Sequence, residues 1–234
     1  MPLKNYMYHR QIKKLPTLFF DLYARQLMRS YSNYQPVFYK GKLIKGSDRN
    51  CLDRWKLIRN EINNLKIKTV LDIGCAEGFY VLQSAKECNC VSLGVDADIR
   101  RLSMAQNQIT SEKIMPAGFI LAEVNGEFLE NMPNFDLIIF MSVMHHMMYS
   151  NGEEYCLDFL KKLKKKINKA MIFEMGQSNE LKNSWAEKLP DMGKNPHEWI
   201  LKFLKSAGFS EVKKIGESDS YQKDQNRAIF RVVP

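Results

Sequence analysis

Asp72 and Asp96 are the two carboxylates whose surroundings could do chemistry. Asp72 lies in the apolar run Thr69-Val-Leu-Asp-Ile73, which leads into Gly74-Cys75-Ala76-Glu77-Gly78. Asp96 ends a second apolar run, Val91-Ser-Leu-Gly-Val95, 18 residues beyond Gly78. A strand, a tight glycine turn, a helix and a second strand ending in a carboxylate describe a nucleoside pocket, because that carboxylate can accept hydrogen bonds from both ribose hydroxyls.

The turn itself narrows the ligand. A dinucleotide site needs glycine at the first, third and sixth positions so that pyrophosphate can approach the helix N-terminus. Here the third is Ala76 and the sixth Phe79. A phosphate-cradling loop needs Gly-Lys-Ser/Thr, which does not follow. Asp72 and Glu77 would repel a pyrophosphate and suit a cation. S-adenosylmethionine carries a sulfonium and an ammonium.

The segment Thr69–Tyr80 resembles motif I of class I S-adenosylmethionine-dependent methyltransferases, and Gly94-Val-Asp-Ala-Asp98 is similar to their second motif. Gly118-Phe-Ile-Leu-Ala-Glu-Val-Asn125 resembles the family's third strand, and Phe135-Asp-Leu-Ile-Ile-Phe-Met-Ser-Val-Met-His-His146 its fourth strand and the loop after it. The resemblance spans residues 66–234. It implies a Rossmann-like seven-stranded α/β sheet, mostly parallel with an antiparallel C-terminal hairpin, helices on both faces and an N-terminal helical extension. It also implies S-adenosylmethionine as cofactor and S-adenosylhomocysteine as product. The residues it places around them are Asp72, Gly74, Cys75, Ala76, Glu77, Gly78, Asp96, Ala97, Glu123, Val124 and Met141, with Glu123 near the adenine amino group. Ala76 stands where a glycine is commoner, so it is expected to keep φ below zero.

The elements that must position these residues are readable from periodicity. Strands are expected near 69–73, 91–95, 118–122, 135–141 and 170–175, and helices near 51–65, 78–88, 98–110, 152–167 and 195–207. That alternation gives a parallel sheet covered on both faces. Glu211–Ile215 and Arg227–Val233 read as a closing hairpin. Residues 5–31 read as helix broken near Pro16, followed by an irregular or short-stranded stretch up to residue 48. The chain divides into an extension or lid, residues 1–65, and a methyltransferase core, residues 66–234.

Composition sets outer bounds. A chain of 234 residues with 45% apolar content supports one α/β domain and an appendage. Five cysteines, an odd number, read as reduced thiols in a cytoplasm, and Cys88-x-Cys90 lacks a second ligand pair, so no metal is expected. No signal peptide or membrane span is expected. The net charge of +9 could serve nucleic acid, anionic lipid or a phosphorylated substrate. Much of it falls on Leu160-Lys-Lys-Leu-Lys-Lys-Lys-Ile167, whose apolar positions keep a buried face, so the lysines read as a solvated helix surface.

The acceptor must lie outside the carboxyl ends of the strands, facing the segments after Val143, Glu174 and Ile215. His145, His146 and Glu174 are the candidate proton acceptors, although the first histidine of such a pair can simply pack under the cofactor. The Asn/Asp-Pro-Pro-Tyr/Phe clamp of base-methylating enzymes is missing, which argues against nucleic acid. The flanks Tyr34-Gln-Pro, Gly46-Ser-Asp-Arg49 with Arg54-Trp55, Phe173-Glu-Met-Gly176 and Arg227-x-x-Phe230 resemble methyltransferases of bacterial surface-polysaccharide assembly. That resemblance implies a small-molecule or glycan acceptor, possibly phosphorylated, bound by Tyr34, Arg49, Arg54 and Arg227. A small amine or amide, tRNA or rRNA, and a non-catalytic partner subunit remain open. The sequence leaves the oligomeric state open as well.

Overall fold

The computed structural model describes residues 34–47, 49–220 and 225–234, together with Gln26. The helix expected over residues 5–31 lies outside them except for Gln26, which is helical.

Its strands carry apolar residues at both parities, the pattern of a sheet covered on two sides. In β3 (Thr69–Ile73), β6 (Phe135–Met141), β7 (Ile167–Glu174) and β9 (Asn226–Val233), one set comprises Val70, Leu137, Ile139, Ala170, Ile172 and Ile229. It packs on α1 (Cys51–Asn64) and α2 (Phe79–Cys88). The alternate set, Leu71, Ile73, Ile138, Phe140, Met171, Phe173 and Phe230, packs on α5 (Met144–Lys164) and α6 (Pro196–Ser206).

The sheet is ordered β5-β4-β3-β6-β7-β9-β8, where β4 is Val91–Asp96, β5 Ala117–Leu121 and β8 Glu211–Asp219. The first five strands are parallel, and β9 runs antiparallel between β7 and β8. From β3 the chain moves outward to β4 and β5, then returns to β6 on the other side of β3. The loops after β3 and β6 therefore diverge, which opens a crevice at the carboxyl ends of the strands. This is the seven-stranded Rossmann-like fold, mostly parallel with an antiparallel C-terminal hairpin.

Three elements differ from the sequence reading. A short helix, α4 (Gly126–Asn131), is capped by the Asn125 side chain, which accepts from the Phe128 amide at 2.9 Å. Strand β8 runs on to Asp219, so Glu217, Ser218 and Asp219 belong to a strand instead of a loop. Helix α5 begins at Met144 and kinks at Gly152 (φ 84°, ψ 173°), so His145 and His146 sit on a helical turn before the lysine-bearing part. The stretch before α1 forms a hairpin of β1 (Val37–Tyr39) and β2 (Lys42–Lys45), with Val37 and Tyr39 packed on Met104 of α3 (Ile99–Glu112).

Candidate active site

The turn after β3 is built to bring backbone close to a ligand. Gly74 has φ 74°, and a Cβ there would collide with Val143 of the loop after β6. Gly78 starts α2 at φ 79°, with Phe119 where its Cβ would be. Ala76 is a correction: its φ is +50°, not negative. The reason is visible in its amide, which donates to Asp96 Oδ2 at 2.8 Å, while the Asp98 amide donates to Oδ1 at 2.8 Å. Asp96 is thus fixed by two backbone donors, and each oxygen keeps a lone pair for a further donor. The left-handed alanine costs about 1–2 kcal/mol, a strain held by the surrounding hydrogen bonds.

Asp72 is buried on the α1/α2 side of β3, and its Oδ2 has no hydrogen-bond partner among the described residues. Burial, and then the neighbouring charge of Asp96, push its carboxyl up to about 8. An unanswered carboxyl at the end of β3 fits a cationic group in the crevice. With the glycine cradle and the fixed Asp96, the residues present suit S-adenosylmethionine.

The crevice opens into a cavity of about 530 Å³. Of the expected cofactor residues, Gly74, Ala76, Asp96, Ala97, Glu123 and Val124 line it, as do Tyr34, Arg49, Arg227, His145 and His146. Asp72, Met141 and Arg54 line a small adjoining recess instead. Cys75, Glu77 and Gly78 lie behind the turn. The Cys75 thiol is buried and pushed well above its ordinary value, by burial and then by Asp72 and Asp96, and it lines neither the cavity nor the recess.

The geometry speaks against Glu174 as a base. It is fully buried and accepts from Arg54 Nε at 2.8 Å, Arg227 Nη1 at 3.1 Å and Ser142 Oγ at 2.8 Å. Burial alone would raise its pKa, but Arg54, Arg227 and Arg49 outweigh it and hold the carboxyl down to about 2. Arg54 and Arg227 are committed to the same cluster, which corrects their reading as acceptor ligands. Arg54 reaches Glu174 and the Asp219 carbonyl. Arg227 forks onto Glu180 through Nε and Nη2, both at 2.7 Å, and only its remaining surface faces the cavity.

The histidines are distinct. His145 is 2% exposed, and its Nδ1 accepts from the Gly176 amide at 3.0 Å. The neutral ring therefore carries its proton on Nε2. Burial, followed by Arg227, His146 and Arg49, keeps its pKa well below the ordinary value. His146 lies at the cavity mouth, where desolvation and then Arg227, Arg49 and Arg101 lower its pKa, so it is neutral at pH 7. Trp185 packs on His145 with ring centroids 4.3 Å apart, and a Cβ on Gly176 would collide with Trp185.

Several wall residues escaped the sequence reading. Arg101 stacks on Tyr34 with its guanidinium 4.8 Å from the ring centroid, opposite partners Asp98 and Glu77. Gln35 Oε1 accepts from the Phe79 amide at 2.9 Å at the start of α2, and Gln108 ties the Glu77 carbonyl to the Phe38 amide. Ser150, Asn151, Tyr155, Asn183 and Trp185 complete the side of the cavity beyond the histidines. Tyr34 and Gln35 are neighbours, so the tyrosine could have pointed to the glutamine; Arg101 and Gln108 sit on α3, Ser150, Asn151 and Tyr155 on α5 around its kink, and Asn183 and Trp185 in a loop without periodicity. Among the described residues no cluster could hold a metal ion and no helix is long and apolar enough to cross a membrane.

Known proteins share this fold. A methyltransferase-domain family model matches residues 70–166. The O-antigen chain terminator bifunctional methyltransferase/kinase WbdD of Escherichia coli is 26% identical over 206 residues, 85% of this chain. The chain spans 27% of the length of WbdD. A crystal structure of WbdD superposes with a TM-score of 0.69 at 25% identity, covering 80% of this chain and 40% of the other. A tRNA U34 carboxymethyltransferase of Pseudoalteromonas atlantica is 28% identical over 114 residues, 49% of this chain and 33% of its own. The N-terminal domain of EvdMO1 with SAH bound shares the fold, with a TM-score of 0.64 at 16% identity over 93% of this chain and 96% of that one. The sheet order agrees with the fold of these matches, which support a class I S-adenosylmethionine-dependent methyltransferase resembling enzymes of O-antigen biosynthesis.

Proposed function

We propose that this enzyme O-methylates a small saccharide-type acceptor during surface-polysaccharide biosynthesis. The observation that carries the reading is the far wall of the cavity. There Trp185 and Tyr155 offer aromatic surface, while Ser150, Asn151 and Asn183 offer hydroxyl and amide groups. Aromatic surface beside paired donors and acceptors suits a polyol ring. Similarity to an O-antigen enzyme supports the same acceptor class.

S-adenosylmethionine, when bound, supplies an electrophilic methyl group on a good leaving group. The protein's share is alignment and proton removal. Asp96 would accept from the ribose hydroxyls, and Ala97, Glu123 and Val124 would flank the base. The turn of α5 and the loop bearing Asn183 and Trp185 hold the acceptor between them. His145 donates from Nε2 to an acceptor oxygen and cannot serve as base, because its other nitrogen is occupied by Gly176 N–H. His146, neutral and at the cavity mouth, takes the hydroxyl proton. Glu174, Arg54 and Arg227 keep the floor rigid.

A second reading, a phosphate-bearing sugar, is favoured by the Arg49 guanidinium at the cavity wall. A phosphate oxygen is already anionic and needs no base. One experiment separates them: label-transfer mass spectrometry with methyl-labelled cofactor and a panel of sugars, sugar phosphates, nucleotide sugars, small amines and bulk tRNA. His146→Ala is expected to lower kcat on a saccharide hydroxyl by about 100-fold or more. Undiminished kcat on a phosphate-bearing acceptor would select the second reading, and label found only on amines or tRNA would sink both.

A further inference from the structure

Residues 175–195, between β7 and α6, contain one 3₁₀ turn, Ala186–Lys188, and otherwise no helix or strand. An irregular connection of that length keeps one shape only if something inside it fixes the backbone. Here that something is a buried charge. Glu180 is fully buried, whereas its neighbours Leu181 and Lys182 are exposed. Its Oε1 accepts from the Gln177 amide at 2.9 Å, and Asn183 Nδ2 lies 3.5 Å from its Oε2. The backbone closes around the same residue: the Glu180 amide donates to the Gln177 carbonyl at 3.1 Å, and the Asn183 amide to the Glu180 carbonyl at 2.9 Å.

The start of β9 holds this fold from outside through three consecutive residues. Gln225 Nε2 donates to the Asn179 carbonyl at 2.8 Å, and the Asn226 carbonyl accepts from Gln177 Nε2 at 3.0 Å. Arg227 completes the row by forking onto Glu180. Of these links only the last joins two charges, and both are buried, so it is the one whose loss costs most. The same guanidinium lies 5.6 Å from the Trp185 ring centroid, with His145 on the ring as well.

Glu180 lines neither the cavity nor the recess, but Asn183 and Trp185 line the cavity on the side beyond the histidines. We propose that Glu180 is a positioning residue for the acceptor: through Arg227 and its own loop it sets the place of Asn183 and Trp185, and with them acceptor affinity. This rests on the reading of that wall as the saccharide side of the cavity. It also gives the antiparallel hairpin a task at the site, since the residues that open β9 are the ones that dock the loop.

The test uses the full chain. Label transfer from methyl-labelled cofactor to a panel of methyl glycosides and sugar phosphates gives KM and kcat for the best acceptor, and titration calorimetry gives the affinity for S-adenosylhomocysteine. Glu180→Gln is expected to raise the acceptor KM by about tenfold or more, to lower kcat less, and to leave S-adenosylhomocysteine within about twofold. Trp55→Phe with Trp199→Phe leaves Trp185 as the only tryptophan. In that background Glu180→Gln is expected to increase acrylamide quenching of Trp185 and to shift its emission to the red. Asn183→Ala is expected to raise the same KM, and the double variant to lose less than the product of the two single effects, because one residue acts through the other. Glu180→Asp, which keeps the charge at shorter reach, is expected to fall between wild type and Glu180→Gln, and it serves if the latter does not fold. A rise in KM matched by an equal loss of S-adenosylhomocysteine affinity overturns the positioning role, as does quenching equal to wild type or a double variant that loses the full product. If the wild type labels no glycoside or sugar phosphate, the saccharide reading fails, and the anchoring of Trp185 by Glu180 is decided by the quenching alone.

Discussion

At Glu174 a carboxylate that reads as catalytic in one dimension becomes a rivet in three. It neutralises Arg54 and shares Arg227 with Glu180, all within a fully buried cluster. Glu174→Gln would leave Arg54 buried without a counter-charge, and we expect urea denaturation to show a loss of about 3–5 kcal/mol. A base at the same position would instead lose turnover at unchanged stability. The pH dependence has a definite sign. The folded pKa, about 2, lies below the ordinary 4.5, so the stabilisation is present above 4.5 and is lost as pH falls towards 2. The variant should therefore lack that part of the acid limb. Asp72 and Asp96 were legible because the strand–turn–helix spacing alone determines where they go. The role of Glu174 was not, because its partner Arg54 lies 120 residues away and is brought to it only by the packing of α1 on the sheet.

Elements with a strong pattern were legible almost to the residue: β3 and β6 were expected at 69–73 and 135–141 and are found there. Their short, near-continuous apolar runs bounded by polar residues mark strands buried on both faces. Helix α5 was misread at its start because Gly152 ends one apolar stripe and begins another. Gly152 has φ 84° and ψ 173°, a conformation open essentially to glycine alone, and nothing lies within 4 Å of where a Cβ would be. Gly152→Ala thus tests backbone strain without steric complication. We expect thermal unfolding to show a loss of about 1–3 kcal/mol and methyl transfer to fall, since the kink sets the turn bearing His145 and His146. A variant as stable and as active as the wild type would show that the kink positions nothing.

On the scale of the whole molecule the charge of +9 invites a nucleic-acid reading, and the similarity to a tRNA enzyme adds to it. The position of the lysines argues otherwise. Lys164, Lys166 and Lys169 donate to the carbonyls of Gly208, of Glu130 and Met132, and of Leu65 and Lys66. These carbonyls precede strands β8, β6 and β3, at the end of the sheet away from the cavity. Strand β6 has seven residues, so the two ends lie about 20 Å apart. At physiological salt charges are screened over about 8 Å, so the exposed Lys161 and Lys165 exert little field at the site. We therefore expect Lys161→Glu with Lys165→Glu to leave methylation of the proposed saccharide acceptor within about twofold of wild type at 0.15 M salt. Bulk tRNA should neither accept label nor compete. Labelled tRNA, with binding that weakens steeply across a salt series and is lost in the double variant, would place the acceptor on the lysine face and overturn the saccharide assignment.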